Sequence, residues 1–155
     1  MRLSNNLTLA EVTKSATAKR KGISNEPTIE HLENLKALAL NIFQPLRDYF
    51  GVPITVSSGY RSAELNSLIG GSSTTSQHCK GEAIDIDVYG NLTNADVFSY
   101  LREHTNFDQL IWEFGDEKQP DWVHCSYKRL GRNRGEVLRA VRVNGKVRYE
   151  IYGNK

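Results

Sequence analysis

A chain of 155 residues, 39% hydrophobic and 25% charged, with four prolines and no low-complexity run, is sized for one domain burying about two thirds of its unfolded surface. It has no apolar run long enough to span a membrane, and Met1-Arg2-Leu3-Ser4-Asn5-Asn6 lacks a signal-peptide core, so neither a membrane partner nor general secretory export is expected. The net charge of +2 conceals a basic end, with nine Lys or Arg against two Glu from Lys128 onward and eleven against sixteen acids before it. That end reads either as a solvated hairpin or as a contact for an anionic polymer; with no stacking-aromatic motif beside it, nucleic acid is not an expected partner.

The first element is a helix capped by Thr8, with Glu11 completing a capping box and Leu7 stapled against Val12. Gly22 closes this region. Pro27-Thr28 then opens the longest periodic segment, with Ile29, Leu32, Leu35, Leu38, Ala39, Ile42, Phe43, Leu46, Tyr49 and Phe50 along one face. Pro45 should free the carbonyl of Asn41 and bend or interrupt the last turns before Gly51 stops them. His31, near the start, reads as a solvated helix residue.

Val52 to Ser57 reads as a strand, and Ser62 to about Leu68 as a short helix, which leaves Arg61 at the junction. Such junctions project side chains into clefts, and an arginine there is a fork for a carboxylate or an oxyanion, or else an exposed ion-pair partner. Gly70 to Thr75 reads as a mobile polar loop.

Ser76 to Asp87 packs a histidine, a turn and two carboxylates into twelve residues. On a straight strand His78 and Asp85 would stand roughly 23 Å apart, so one metal could take both only if the chain folds back, and Gly81 permits that. Beyond it, Ala83, Asp85 and Asp87 share one strand face, while Ile84, Ile86 and Val88 share the other and should be buried. The stretch is either half of a zinc site or a surface hairpin with an acidic outer face.

Thr93 should cap a helix that turns Val97, Phe98 and Leu101 inward and ends at His104, where an imidazole complements the dipole. Phe107 to Phe114 reads as an apolar strand in which Glu113 is out of place unless something binds it. Asp121 to Tyr127 is a strand led by an acid, and it supplies His124 as a third ligand. Glu136 is followed by Val137 to Val143, an Asn144-Gly145 turn and Lys146 to Tyr152, a strong hairpin signal. Cys79 and Cys125 each follow one of the two candidate histidines, so on extended backbone their side chains point away from the metal; they read as buried free thiols or as a mutual disulfide.

Three blocks, Ser57-Ser58-Gly59-Tyr60-Arg61-Ser62, Ser76-Gln77-His78 with Ala83-Ile84-Asp85, and Trp122-Val123-His124, resemble the zinc D-Ala-D-Ala peptidase family, which includes D,D-carboxypeptidases, VanX-type dipeptidases and phage L-alanyl-D-glutamate endolysins. The resemblance implies an α+β fold of the hedgehog type, a small central antiparallel sheet flanked by N-terminal helices. One domain over 1–155 is expected: a helical region at 1–51, a metal-site core at 52–127 and a basic hairpin at 128–155. One Zn²⁺ would be held by His78, Asp85 and His124. The implied substrate is a peptidoglycan stem peptide, contacted by Arg61, Ser76 and Gln77, with Arg61 also stabilising the oxyanion.

Many relatives carry Glu three residues before the second histidine. Asp121 stands there and is favoured as general base, with Glu113 as the alternative. A non-catalytic module with a structural zinc is the competing class, but such sites are usually closed by four protein ligands. A monomer is expected. Cell-wall activity in a chain made in the cytoplasm without a signal peptide suits a phage endolysin or a virion-borne enzyme.

Overall fold

A computed structural model describes residues 1–69 and 76–153. The chain opens with a two-stranded antiparallel ribbon, β1 (Arg2–Ser4) and β2 (Leu7–Thr8). Helix α1 (Leu9–Thr13) follows, and Thr8 and Glu11 form the expected reciprocal capping box. Helix α2 (Ala16–Lys21) is capped by Ser15 and ends on Gly22 in the left-handed region.

The long periodic segment divides into three. Helix α3 (Ile29–Leu38) begins at its Thr28 cap, a π-helical stretch covers Ala39–Phe43, and α4 (Gln44–Phe50) stops at left-handed Gly51. The widened turn directly precedes Pro45, whose missing N–H cannot serve the carbonyl of Asn41, so the chain absorbs the defect as a π segment instead of breaking. Leu35, Leu38, Ala39, Ile42, Phe43 and Leu46 are buried as the periodicity predicts, whereas Ile29 is 84% and Tyr49 65% exposed. These two lie in the first and last turns, and Tyr49 packs its ring on Tyr100 and His104.

Strand β3 (Val56–Ser58) is shorter than the expected Val52 to Ser57, since Pro53 has no N–H to give a ladder. Helix α5 (Ala63–Ile69) follows. Gly70 to Thr75, expected to form a loop, lie outside the described residues. Strand β4 (Ala83–Ile86), helix α6 (Asn94–His104) with its Thr93 capping box, β5 (Gln109–Glu113), β6 (Trp122–Ser126), β7 (Glu136–Val143) and β8 (Lys146–Ile151) complete the chain.

Strands β3 to β8 form one sheet in the order β3-β4-β6-β5-β7-β8. The fold is α+β, and the antiparallel expectation holds for every pair in this sheet but one, because β7 adds to β5 in parallel. The terminal hairpin therefore extends the sheet and is not a separate appendage. Asn144 and Gly145 both take positive φ, 52° and 76°, as a tight two-residue hairpin turn requires. One sheet face, with Ile84, Ile86, Leu110, Trp112, Val123 and Cys125, packs against the helices in a continuous core. The opposite face is left for the site.

Candidate metal centre and cleft

The strand registers line up the chemistry. Asp85 lies opposite His124, His124 opposite Ile111, and Glu113 opposite Trp122. Side chains alternate along each strand, so Asp85, His124 and Glu113 share the face turned away from the helical core.

His78 reaches that face from a 3₁₀ turn, Gln77–Lys80, whose N-cap is Ser76 and whose end is Gly81 at φ 74°. Gly81 is the fold-back that the sequence requires. A Cβ there would also run into the backbone carbonyl of His31 on α3, so the turn can seat against the helix only with glycine. Asn34 secures the same turn by donating to the Lys80 carbonyl at 2.9 Å.

The Ser57-to-Ser62 block clasps this turn. The carbonyl of Gly59 accepts a hydrogen bond from His78 Nδ1 at 2.7 Å, and the Arg61 N–H donates to the His78 carbonyl at 3.1 Å. A carbonyl can only accept, so Nδ1 carries the proton and the His78 Nε2 lone pair is free to bind a metal. Gly59 is itself required, because a Cβ would collide with the backbone of Val12 where α1 crosses. Asn25 holds the block from the other side, donating to the Tyr60 carbonyl and accepting from the Ser62 N–H. Two of the three motif blocks thus contact each other directly.

His78 Nε2 lies 3.4 Å and His124 Nδ1 3.1 Å from Asp85 Oδ1, and one ligand atom from each residue falls within 4.8 Å of the others. Donors about 2.1 Å from one tetrahedral zinc stand about 3.4 Å apart, so the donor set fits zinc in both chemistry and spacing. Burial by itself would raise the Asp85 pKa, but the two imidazoles outweigh it and hold the carboxyl well below its ordinary range. Asp85 is therefore anionic as a ligand must be.

Glu113 is only 7% exposed. Burial, reinforced by Asp85 and partly offset by His124, pushes its pKa up to about 7. Both sites lie in an open cleft of ≈ 920 Å³ that Arg61, Ser76 and Gln77 also line. Arg61 lines this cleft, and its Nε is buried with no hydrogen-bond partner. The Gln77 amide is engaged with Asp108 and Glu82, so its contribution is to brace the histidine turn.

Asp121 does not reach the cleft. It is exposed, immediately precedes β6, and is tied through its backbone to Glu113 and Asn94. An odd separation from His124 on extended chain turns it to the other face, whereas Glu113 shares the face of Asp85 and His124. Other expectations shift less. His31 is half-buried and hydrogen-bonded to the Tyr60 hydroxyl, not solvated. Asp87 accepts from Asn94 at 2.9 Å and stays outside the three-ligand cluster. Cys79 and Cys125 are buried free thiols. The sequence reading missed Trp122, Phe114, Arg142 and Tyr149 as cleft residues; hairpin register alone puts Arg142 and Tyr149 on one face, but nothing in the sequence announces the parallel β5-β7 pairing.

The peptidase M15 family model matches residues 5–126, more than half of the sequence. The chain belongs to the peptidase M15 family. No curated protein matches this M15 peptidase significantly. The family is one of zinc-dependent metallopeptidases, in accord with the His-Asp-His cluster. Among the described residues no helix is long and apolar enough to cross a membrane.

Proposed function

We propose that this M15 peptidase hydrolyses an amide bond in the stem peptide of peptidoglycan, with His78, Asp85 and His124 as ligands of one Zn²⁺ and Glu113 as general base. The observation that carries the reading is the buried Glu113 carboxyl on the same sheet face as the three-ligand cluster, inside an open cleft. When bound, zinc supplies Lewis-acid polarisation of the scissile carbonyl and brings a water toward ionisation near pH 7.

The protein does the rest. The Glu113 carboxylate takes the proton of the attacking water as its oxygen bonds to the carbonyl carbon, then delivers that proton to the amide nitrogen as the C–N bond breaks. A carboxyl pKa raised above its ordinary value by burial suits both halves of this transfer. Arg61 donates to the oxyanion of the tetrahedral species from a position fixed by the Gly59 and Asn25 contacts. The Ser76 hydroxyl, at the lip of the histidine turn, orients the peptide.

An endolysin-type endopeptidase and a D,D-carboxypeptidase differ in what they do to the wall. The first cuts the mesh; the second trims chain ends and leaves it intact. The test is turbidity of permeabilised Gram-negative cells. Zinc-loaded protein is expected to clear them, a chelator to stop clearing and added zinc to restore it. For a phage lytic enzyme, expression inside intact bacteria should not lyse them until the membrane is breached. Clearing that ignores the chelator would refute the zinc reading, and unchanged turbidity with release of terminal D-Ala would assign the carboxypeptidase activity instead.

A further inference from the structure

The family match ends at residue 126, but the cleft does not. The sheet face that bears Asp85, His124 and Glu113 continues across β7 and β8, where Ile111 pairs with Leu138, Glu113 with Ala140, Ala140 with Tyr149 and Arg142 with Val147. Ala140, between Glu113 and Tyr149 on this face, is fully buried. Leu138, Arg142, Val147 and Tyr149 all line the cleft. The hairpin thus forms one wall of the site.

The three arginines on the hairpin strands differ in one respect. Arg139 pairs with Glu117 at 2.9 Å and Arg148 with Glu150 at 2.8 Å, while Arg142 has no acid partner among the described residues. Arg134, also at the cleft, is committed to the buried Asp108 through two side-chain hydrogen bonds. Arg142 instead lies over the Phe114 ring, 4.3 Å from its centroid, and Phe114 packs on Trp122. Stacking on a ring fixes the guanidinium plane and leaves its N–H edges open. Phe114 is held in place at φ 56°, a conformation uncommon for a non-glycine residue, at the point where β5 ends. The hairpin wall of the cleft therefore presents an oriented guanidinium with no acid partner among the described residues.

We propose that Arg142, stacked on Phe114, forms a subsite for a free carboxylate of the peptide substrate. The proposal rests on the peptide-hydrolase reading above and adds where the substrate's charge is recognised. Two strand spacings and four residues of rise put the Cα atoms of Arg142 and His124 about 17 Å apart, a gap that the arginine side chain shortens to about three extended residues. The carboxylate it reads therefore lies two to three residues from the scissile bond. The chain terminus of a dipeptide or of a D-Ala-D-Ala end is too close to reach it, so the subsite favours cleavage inside the stem.

Calorimetric binding of two synthetic stem peptides, identical except that the distal carboxylate is a carboxamide in one, tests this without requiring turnover. The parent is expected to bind the carboxylate peptide about tenfold more tightly than the carboxamide, and Arg142→Ala to lose that preference while binding the carboxamide unchanged. Arg142 is exposed, so the variant should keep the parent's melting temperature, and Arg142→Lys should recover only part of the preference because it loses the planar stack. Equal affinity for the two peptides in the parent, including no binding of either, or a preference that survives Arg142→Ala, overturns the subsite. Cleavage of the same peptides is followed separately. Preference in binding without cleavage would leave the subsite standing and remove the peptidase reading; cleavage without preference would do the reverse.

Discussion

Glu113→Gln is expected to lower kcat by about a hundredfold or more while leaving one zinc bound, because it removes the proton acceptor and keeps the shape of the side chain. Asp121→Asn, exposed and turned from the cleft, should stay within about threefold of the parent. Turnover and metal content of both variants decide the assignment, and the opposite ranking would transfer the role to Asp121. A pH profile adds a second reading. The base must be ionised to accept the proton, so activity should fall about tenfold per pH unit on the acid side, with a midpoint between the ordinary carboxylate value and about 7, since a bound cation draws down the raised pKa.

The same carboxyl bears on stability, with a sign that can be checked. The Glu113 pKa rises from 4.5 to about 7 on folding, so in the metal-free protein its ionisation opposes the fold. The cost is absent below pH 4.5, grows as pH rises through the interval and is complete above about 7, where it amounts to something on the order of 3 kcal/mol. Metal-free Glu113→Gln should therefore melt higher than the parent at pH 8, and the difference should vanish as pH falls toward 4.5. A constant difference at all pH values would mean that packing, not charge, sets it.

The second large effect is expected at His124. Its Nδ1 is 3.1 Å from Asp85 Oδ1 on the facing strand, and no other described His, Cys, Asp or Glu joins the cluster to replace it. His124→Ala should reduce bound zinc from about one equivalent to a small fraction and bring peptide hydrolysis below detection. Elemental analysis after gel filtration reads the first and a cleavage assay the second. Zinc content equal to the parent's would remove His124 from the ligand set.

Much of this site was legible because its elements are local. The capping boxes at Thr8 and Thr93, the left-handed glycines at 22, 51 and 81, and the alternation of Ile84 and Ile86 against Asp85 each follow from a few adjacent residues. Two of the three motif blocks carried the His-Asp-His cluster that could hold a metal. What the sequence hid was long-range pairing. The parallel docking of β7 on β5 turns a basic hairpin into a cleft wall, yet the hairpin's own residues would read the same if it stood alone in solvent. Asp121 was favoured by its offset from His124, while facing was decided by strand parity; Glu113, the alternative singled out as an acid in an apolar strand, shares the face of Asp85 and His124. Pro45 interrupts the long helix as its missing N–H requires, but only by a π-helical stretch between α3 and α4 that absorbs the lost hydrogen bond.

The most direct test of the zinc peptidase reading is mass spectrometry of purified peptidoglycan digested with zinc-loaded protein, beside chelated protein and zinc-loaded Glu113→Gln as controls. The account predicts muropeptides cleaved at one stem-peptide amide bond, each product pair gaining one water, in the first digest alone. No cleaved amide with zinc-loaded protein, or equal cleavage in all three digests, would contradict it.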